Sequence, residues 1–257
     1  MQREAWINTM TSVILGALCI LLRWLQTMNV IEEETGLPMQ GAALSWILAV
    51  VVAVAVAIIW FLSRQLLRDY ASTEPELALA DPPQALNGAL VLVGFVTLVG
   101  SAVLFFSGGN IFVRIAALLG ILSAPALMFY TSLPHWGGLG AFLSLLPVFF
   151  FCYWLVVIYR EFARDPVLWS YALLVLSVSA LLLAAYRLCG YLFYRAKPVK
   201  AVFACCAAPI FSLSILTDSI NIGIRLIVGG WAVGLLLIVW LLIVNMQSPE
   251  QHEYEDV

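Results

Sequence analysis

Arg187, Asp218, Arg225 and Arg114 are the side chains of this sequence whose type and position could make a site within a membrane. Each is ionisable and stands in or beside a long apolar run, where a charge is costly to hold unless it is paired, bound to a ligand or able to reach water. A guanidinium offers a planar fork of donors that fits a carboxylate or a phosphate, and a carboxylate fits a cation or that same fork. Asp218 precedes Arg225 by seven residues, about two turns of helix, which predicts that the two pair at the mouth of the last two apolar runs. Arg187 stands eight residues before the next arginine, Arg195, unless the helix leaves the membrane at Cys189-Gly190. Arg114 opens its run, Arg225 is near the start of the last and Arg23 near the end of the first; long side chains so placed are expected to snorkel to the interface.

No other residue pattern points to catalysis. His135, followed by Trp136 in a short loop, and His252 have no partner at H-E-x-x-H spacing, and neither G-x-S-x-G nor a phosphate loop occurs. Glu32, Glu33 and Glu34 would suit an intramembrane metal protease only with histidines in later runs; without them they read as a solvated outer loop. Cys19, Cys152, Cys189, Cys205 and Cys206 all fall in apolar runs without C-x-x-C spacing, so they are expected to pack as small buried hydrophobes. The expectation is no catalytic residue, no metal site and no cofactor.

The elements that must position these charges follow from composition. Of 257 residues, 63% are hydrophobic and 11% charged, against about 45–50% and about 25% in a soluble domain. A nearly even net charge of -3 excludes nucleic acid as a partner and leaves the lipid bilayer. A bilayer core needs roughly 20 apolar residues of helix, and such runs lie near 10–28, 42–62, 85–106, 111–131, 138–159, 167–194, 199–217 and 221–245. The fold class is therefore all-α, a polytopic bundle of about eight membrane-spanning helices with no sizeable soluble domain. Residues 1–247 form one integral membrane domain, and 248–257, with four acids and no base, read as a disordered tail. No cleavage site follows the first run, which reads as an uncleaved span.

Trp24, Trp46, Trp60, Trp169, Tyr191, Tyr194 and Trp240 gather near span ends and read as interfacial anchors. With the N-terminus inside, the cytoplasmic segments collect Arg3, Arg64, Arg68, Arg187, Arg195, Lys197 and Lys200, against Arg23, Arg114, Arg160, Arg164 and Arg225 outside. That bias places both termini in the cytoplasm, in a bacterial inner membrane, where the lack of N-x-S/T sequons also fits. Thr73 to Pro83 reads as a solvated loop ending at a helix start.

Pro125, Pro147 and Pro209 are expected to interrupt their spans. Gly230 and Gly234, with Gly94, Gly100, Gly120, Ala124 and Ala126, supply small faces for close helix packing, through which a membrane-protein partner or a second copy could bind. Three functional readings follow. The first is a small permease- or channel-like transport protein, the second a non-catalytic accessory or assembly subunit, and the third an intramembrane enzyme acting on lipid. A polar cavity at mid-membrane between the proline-bearing helices favours the first, and a sealed apolar core the second.

Overall fold

The computed structural model describes residues 2–29, 43–67, 75–79, 82–107, 110–162, 168–195, 197–218 and 220–246, with 75, 162 and 168–171 as backbone alone. Among them, eight helices are long and apolar enough to cross a membrane. They are α1 (Gln2–Asn29), α2 (Ala43–Leu66), α3 (Gln84–Ser107), α4 (Ile111–Met128), α5 (Gly138–Phe162), α6 (Leu168–Leu192), α7 (Pro198–Ser214) and α8 (Ile222–Val244). The fold class is thus all-α and multi-pass. Eight crossings bring the start of α1 and the end of α8 to one face, here the proximal face; the other is the distal face.

Backbone groups cannot be left unpaired in hydrocarbon, so each apolar run closes its hydrogen bonds within itself as helix. The bounds depart from the hydropathy pattern where polar residues join a helix. α1 begins eight residues before its apolar run, and α4 is followed by a 3₁₀ segment, Tyr130–Trp136, in place of a simple loop. Within the stretch read as a solvated loop, Pro75–Ala78 forms one helical turn. Ala78 and Leu79 there are buried, and Asn245 Nδ2 donates to the Ala78 carbonyl. The triple glutamate and the acidic tail lie outside the described residues.

α7 and α8 form the centre: 67% of the residues in their apolar stretches are buried, against 22% for α2 at the edge. α7 packs against α1, α2 and α6, and α8 against α3 and α1, while α4 and α5 close the side between α3 and α6. α4, α5 and α7 continue as helix through Pro125, Pro147 and Pro209, so the prolines do not break their spans. Packing against neighbours holds these helices through the missing bond. Beside Pro209, the Cys206 carbonyl accepts the Ser12 hydroxyl of α1 at 2.6 Å.

The small residues are used inside the bundle. A β-carbon on Gly100 would lie 2.9 Å from the Gly223 carbonyl, and one on Gly223 2.7 Å from the Gly100 carbonyl, so α3 and α8 meet backbone to backbone. Gly230 receives Thr97 of α3, Gly234 receives Leu127 of α4, and Gly94 receives Met128. Ala124 and Ala126 are buried as well. Midway along α5, Phe150, Phe151 and Trp154 are buried and cluster together, and the Phe151 ring meets that of Trp231 of α8 at 5.3 Å, near perpendicular. Such aromatic pairs add about 0.5–1.5 kcal/mol each beyond the area they bury.

Two expectations about exposure change. Tyr191, read as an interfacial anchor, is buried at 2% exposure. Cys152 is exposed on the outer face of α5, while the other four cysteines are buried. Trp24, Trp46, Trp60 and Tyr194 are exposed, as anchors require.

Candidate functional site

The charged residues of the described chain collect at the two ends of the bundle, while buried hydroxyls such as those of Thr97, Ser101 and Ser177 lie within the spans. The distal collection begins with α1, whose buried residues are Ala5, Asn8, Thr9, Ser12, Gly16, Cys19, Arg23 and Gln26. Positions 5, 12, 19 and 26 repeat every seven residues, as do 9, 16 and 23, the period that keeps one face of a helix against a neighbour. Every residue of that face is small or polar. Trp6, Ile14, Leu21 and Met28 are exposed on the other side. α1 is therefore an inverted amphipathic helix, with apolar side chains outward toward lipid and polar ones against α7.

This face delivers Arg23 to the connection between α7 and α8. Arg23 Nε donates to Asp218 Oδ1 at 2.7 Å and Nη2 to Oδ2 at 3.0 Å, a two-pronged ion pair. Its third nitrogen, Nη1, donates to Gln26 Oε1 at 2.9 Å, and Gln26 Nε2 donates to Ser45 Oγ of α2 at 2.9 Å. Arg225 Nη2 donates to the Asp218 main-chain carbonyl, while Arg225 Nε is buried with no acceptor among the described residues. The side chains of Arg23 and Asp218 are only 6% and 12% exposed. Asp218 and Arg225 are neighbours, but the carboxylate takes Arg23; Arg225 takes the carbonyl.

Arg23 does not snorkel. Its α1 position faces the bundle, so its shortest route from the hydrocarbon is inward, to a carboxylate whose two oxygens match its fork. Burying both ions costs desolvation that the pairing offsets only with good geometry and further hydrogen bonds, and both are present. The network joins α1, α2 and the α7–α8 connection. Asn221 extends it: its Oδ1 caps α8 by accepting the Gly223 N–H at 2.8 Å, and its Nδ2 donates to Ser107 Oγ at the end of α3. Arg114 stands apart, exposed in the first turn of α4. Chemically, the network consumes its one carboxylate and acts as a clip.

The proximal collection is built differently. Arg187 is half-buried on α6, five residues before the helix ends at Leu192. α6 continues through Gly190, then stops in a Schellman turn: the Arg195 N–H returns to the Gly190 carbonyl at 2.9 Å and the Tyr194 N–H to the Tyr191 carbonyl at 3.0 Å. Tyr194 takes the left-handed position, φ 52°, that such turns usually give to glycine, at a cost of roughly 1–2 kcal/mol. The turn carries Arg195 and Lys197 to the mouth of a cleft of about 790 Å³ that Arg187 also lines. Leu145 of α5 and Cys189 and Gly190 of α6 form part of its wall.

The buried serines do not form a path between these ends. Ser101, Ser123, Ser144 and Ser214 donate to carbonyls of their own helices. Ser177 and Ser212 bond each other across α6 and α7 at 3.1 Å. Among the described residues no group of three or more His, Cys, Asp or Glu side chains is placed to hold a metal ion. Sequence reasoning takes Arg23 for a snorkelling side chain and misses Gln26 and Ser45, although the seven-residue polar spacing along α1 is there to point inward. Comparison with family models, with curated proteins and with solved structures finds no match to this chain.

Proposed function

We propose that this multi-pass membrane protein is a non-catalytic accessory or assembly subunit and does not itself conduct a solute. The observation that carries the reading is the filling of mid-membrane. Phe150, Phe151, Trp154 and Trp231 are buried at mid-membrane, the Phe151 ring against that of Trp231, and glycines on α3 and α8 are seated against neighbouring side chains or backbone. Charged groups gather at the two faces, and the distal carboxylate is consumed in a clip. Ion-coupled carriers commonly place ionisable groups near the bilayer centre, and the sequence offers no Asp or Glu near the middle of any span. Internal use of the small faces directs any partner or second copy to the exposed apolar outer helices, α2 above all, where Trp46, Val50, Val54 and Phe61 are exposed.

The same reading assigns the proximal face to the cytoplasm of a bacterial inner membrane, supported by Arg187, Arg195 and Lys197 gathering there. The test is reconstitution into sealed vesicles with flux of protons, halide, phosphate and small neutral solutes followed by entrapped dyes. Rates equal to those of protein-free vesicles are expected, together with a native mass in mild detergent above that of one 28.3 kDa chain. Saturable flux of any solute would return the protein to the transport reading. A strictly monomeric mass in native membrane extracts would remove the subunit role.

A further inference from the structure

We propose that the proximal cleft binds the phosphate headgroup of an anionic phospholipid from the leaflet at that face. Three cations, Arg187, Arg195 and Lys197, line one opening, and none of the residues lining it is acidic. Like charges lining one opening repel, and an anion bound between them relieves that repulsion. The chain supplies none among its described residues. Arg187 has the ring of Tyr186, 5.7 Å from its guanidinium carbon, as its contact, and no hydrogen bond from Arg187, Arg195 or Lys197 side chains reaches a described acceptor. At the distal face the same residue type is answered by Asp218 and Gln26.

Two further features select the ligand. A guanidinium fork and an ammonium together match phosphate oxygens, the forks by paired hydrogen bonds and the lysine as a point charge. The backbone holds Arg195 in place through the bond to Gly190 and accepts a left-handed tyrosine to do so, an outlier of the kind retained where a site must be shaped. The lipid source follows from what adjoins the cleft. Leu176, Leu183, Tyr186 and Phe193 are exposed at helical spacing along the outer side of α6, so an acyl chain can lie on that stripe with its headgroup among the cations. Basic pockets between membrane helices near the interface recognise phospholipid headgroups in this way.

The experiment uses the full chain in neutral detergent, titrated with phosphatidylglycerol or phosphatidylcholine and read by native mass spectrometry of the bound species. Tighter binding of phosphatidylglycerol is expected, by about tenfold over phosphatidylcholine, because both carry the phosphodiester but the choline of the latter adds a further cation beside Arg187, Arg195 and Lys197. The combined Arg187→Gln, Arg195→Gln and Lys197→Gln variant should lose that preference, while Arg160→Gln at the distal face should keep it. Equal binding of the two lipids, or an unchanged preference in the triple variant, overturns the proposal. Inorganic phosphate alone is the third probe: if it binds at micromolar concentration and displaces the lipid, the ligand is a soluble phosphate and the lipid assignment is wrong. Should the triple variant fail to fold, Lys197→Gln and Arg195→Gln singly, both at exposed positions, must each weaken phosphatidylglycerol binding; no weakening in either also overturns it. The flux experiment reads a different property, so failure of one leaves the other standing.

Discussion

The two ends of this bundle hold similar side chains to opposite effect. At the distal face Arg23 meets an acceptor on each side of its fork, Asp218 and Gln26, and the chain closes on itself. At the proximal face Arg187, Arg195 and Lys197 surround open space. The difference lies in the acceptors and in which way the helix face points. A cation near a span end is a clip when its helix turns it toward a carboxylate, and a receptor element when it turns toward a cleft.

The sharpest way to break this contrast is to cut the clip. Arg23→Ala and Asp218→Ala should each lower stability by about 3–5 kcal/mol, because each leaves the other ion buried and unpaired. Apparent melting in mild detergent reads the loss, and the double variant should lose less than the sum. A drop below about 1 kcal/mol would reduce the pair to the worth of a surface bridge. Next in size, Gly223→Ala at the distal start of α8 forces apart backbones already in contact and should cost about 1–3 kcal/mol. Gly88→Ala at the proximal start of α3, where a β-carbon meets nothing within 4 Å, should instead gain about 0.5–1 kcal/mol. If both substitutions destabilise equally, the distal face is no more tightly joined than the proximal one.

Tyr194→Gly relieves the left-handed tyrosine and should raise stability by about 1 kcal/mol. The same melting assay measures it, and a fall would mean that the tyrosine ring contributes more than its backbone costs. Smallest of all, Arg195→Gln and Lys197→Gln should change stability by less than about 0.5 kcal/mol, since both are exposed and neither side chain is paired among the described residues. A loss as large as that of Arg23→Ala would make the proximal cations structural and erase the contrast.

Much of the architecture is legible in the sequence because hydrocarbon imposes simple rules on length and polarity. All eight runs become helices; the first is extended by polar residues such as Arg3 and Glu4, and others end early, α4 at Met128 and α7 at Ser214, where the chain turns into 3₁₀ segments. The site is legible in part. Arg187, Asp218 and Arg225 stand out as charges, but the pairing expected of Asp218 and Arg225 is reduced to a bond to the Asp218 main-chain carbonyl, the carboxylate going to Arg23. The identity of the carboxylate's partner was hidden, because Arg23 is 195 residues away and no local pattern encodes a contact between the first span and the last hairpin. The Schellman turn was hidden for another reason: Gly190 marks the conformationally free position in sequence, yet Tyr194 adopts the left-handed angle. Proline misled in the same way, since Pro125, Pro147 and Pro209 sit in helices that neighbouring spans hold continuous.

The clip also sets a schedule for synthesis. A ribosome adding about 5–20 residues per second delivers Asp218 roughly 10–40 s after Arg23, given their separation of 195 residues. Through that interval the first helix carries Arg23 without its carboxylate and Ser12 without the Cys206 carbonyl, while Gln26 already has Ser45 of α2 within reach. The nascent chain therefore waits with its most polar span unmatched, and insertion of the final hairpin is the event that lets the first helix take its place. Truncation before α7 would leave that debt outstanding, so the fragment should be a substrate for membrane quality control and not a smaller bundle.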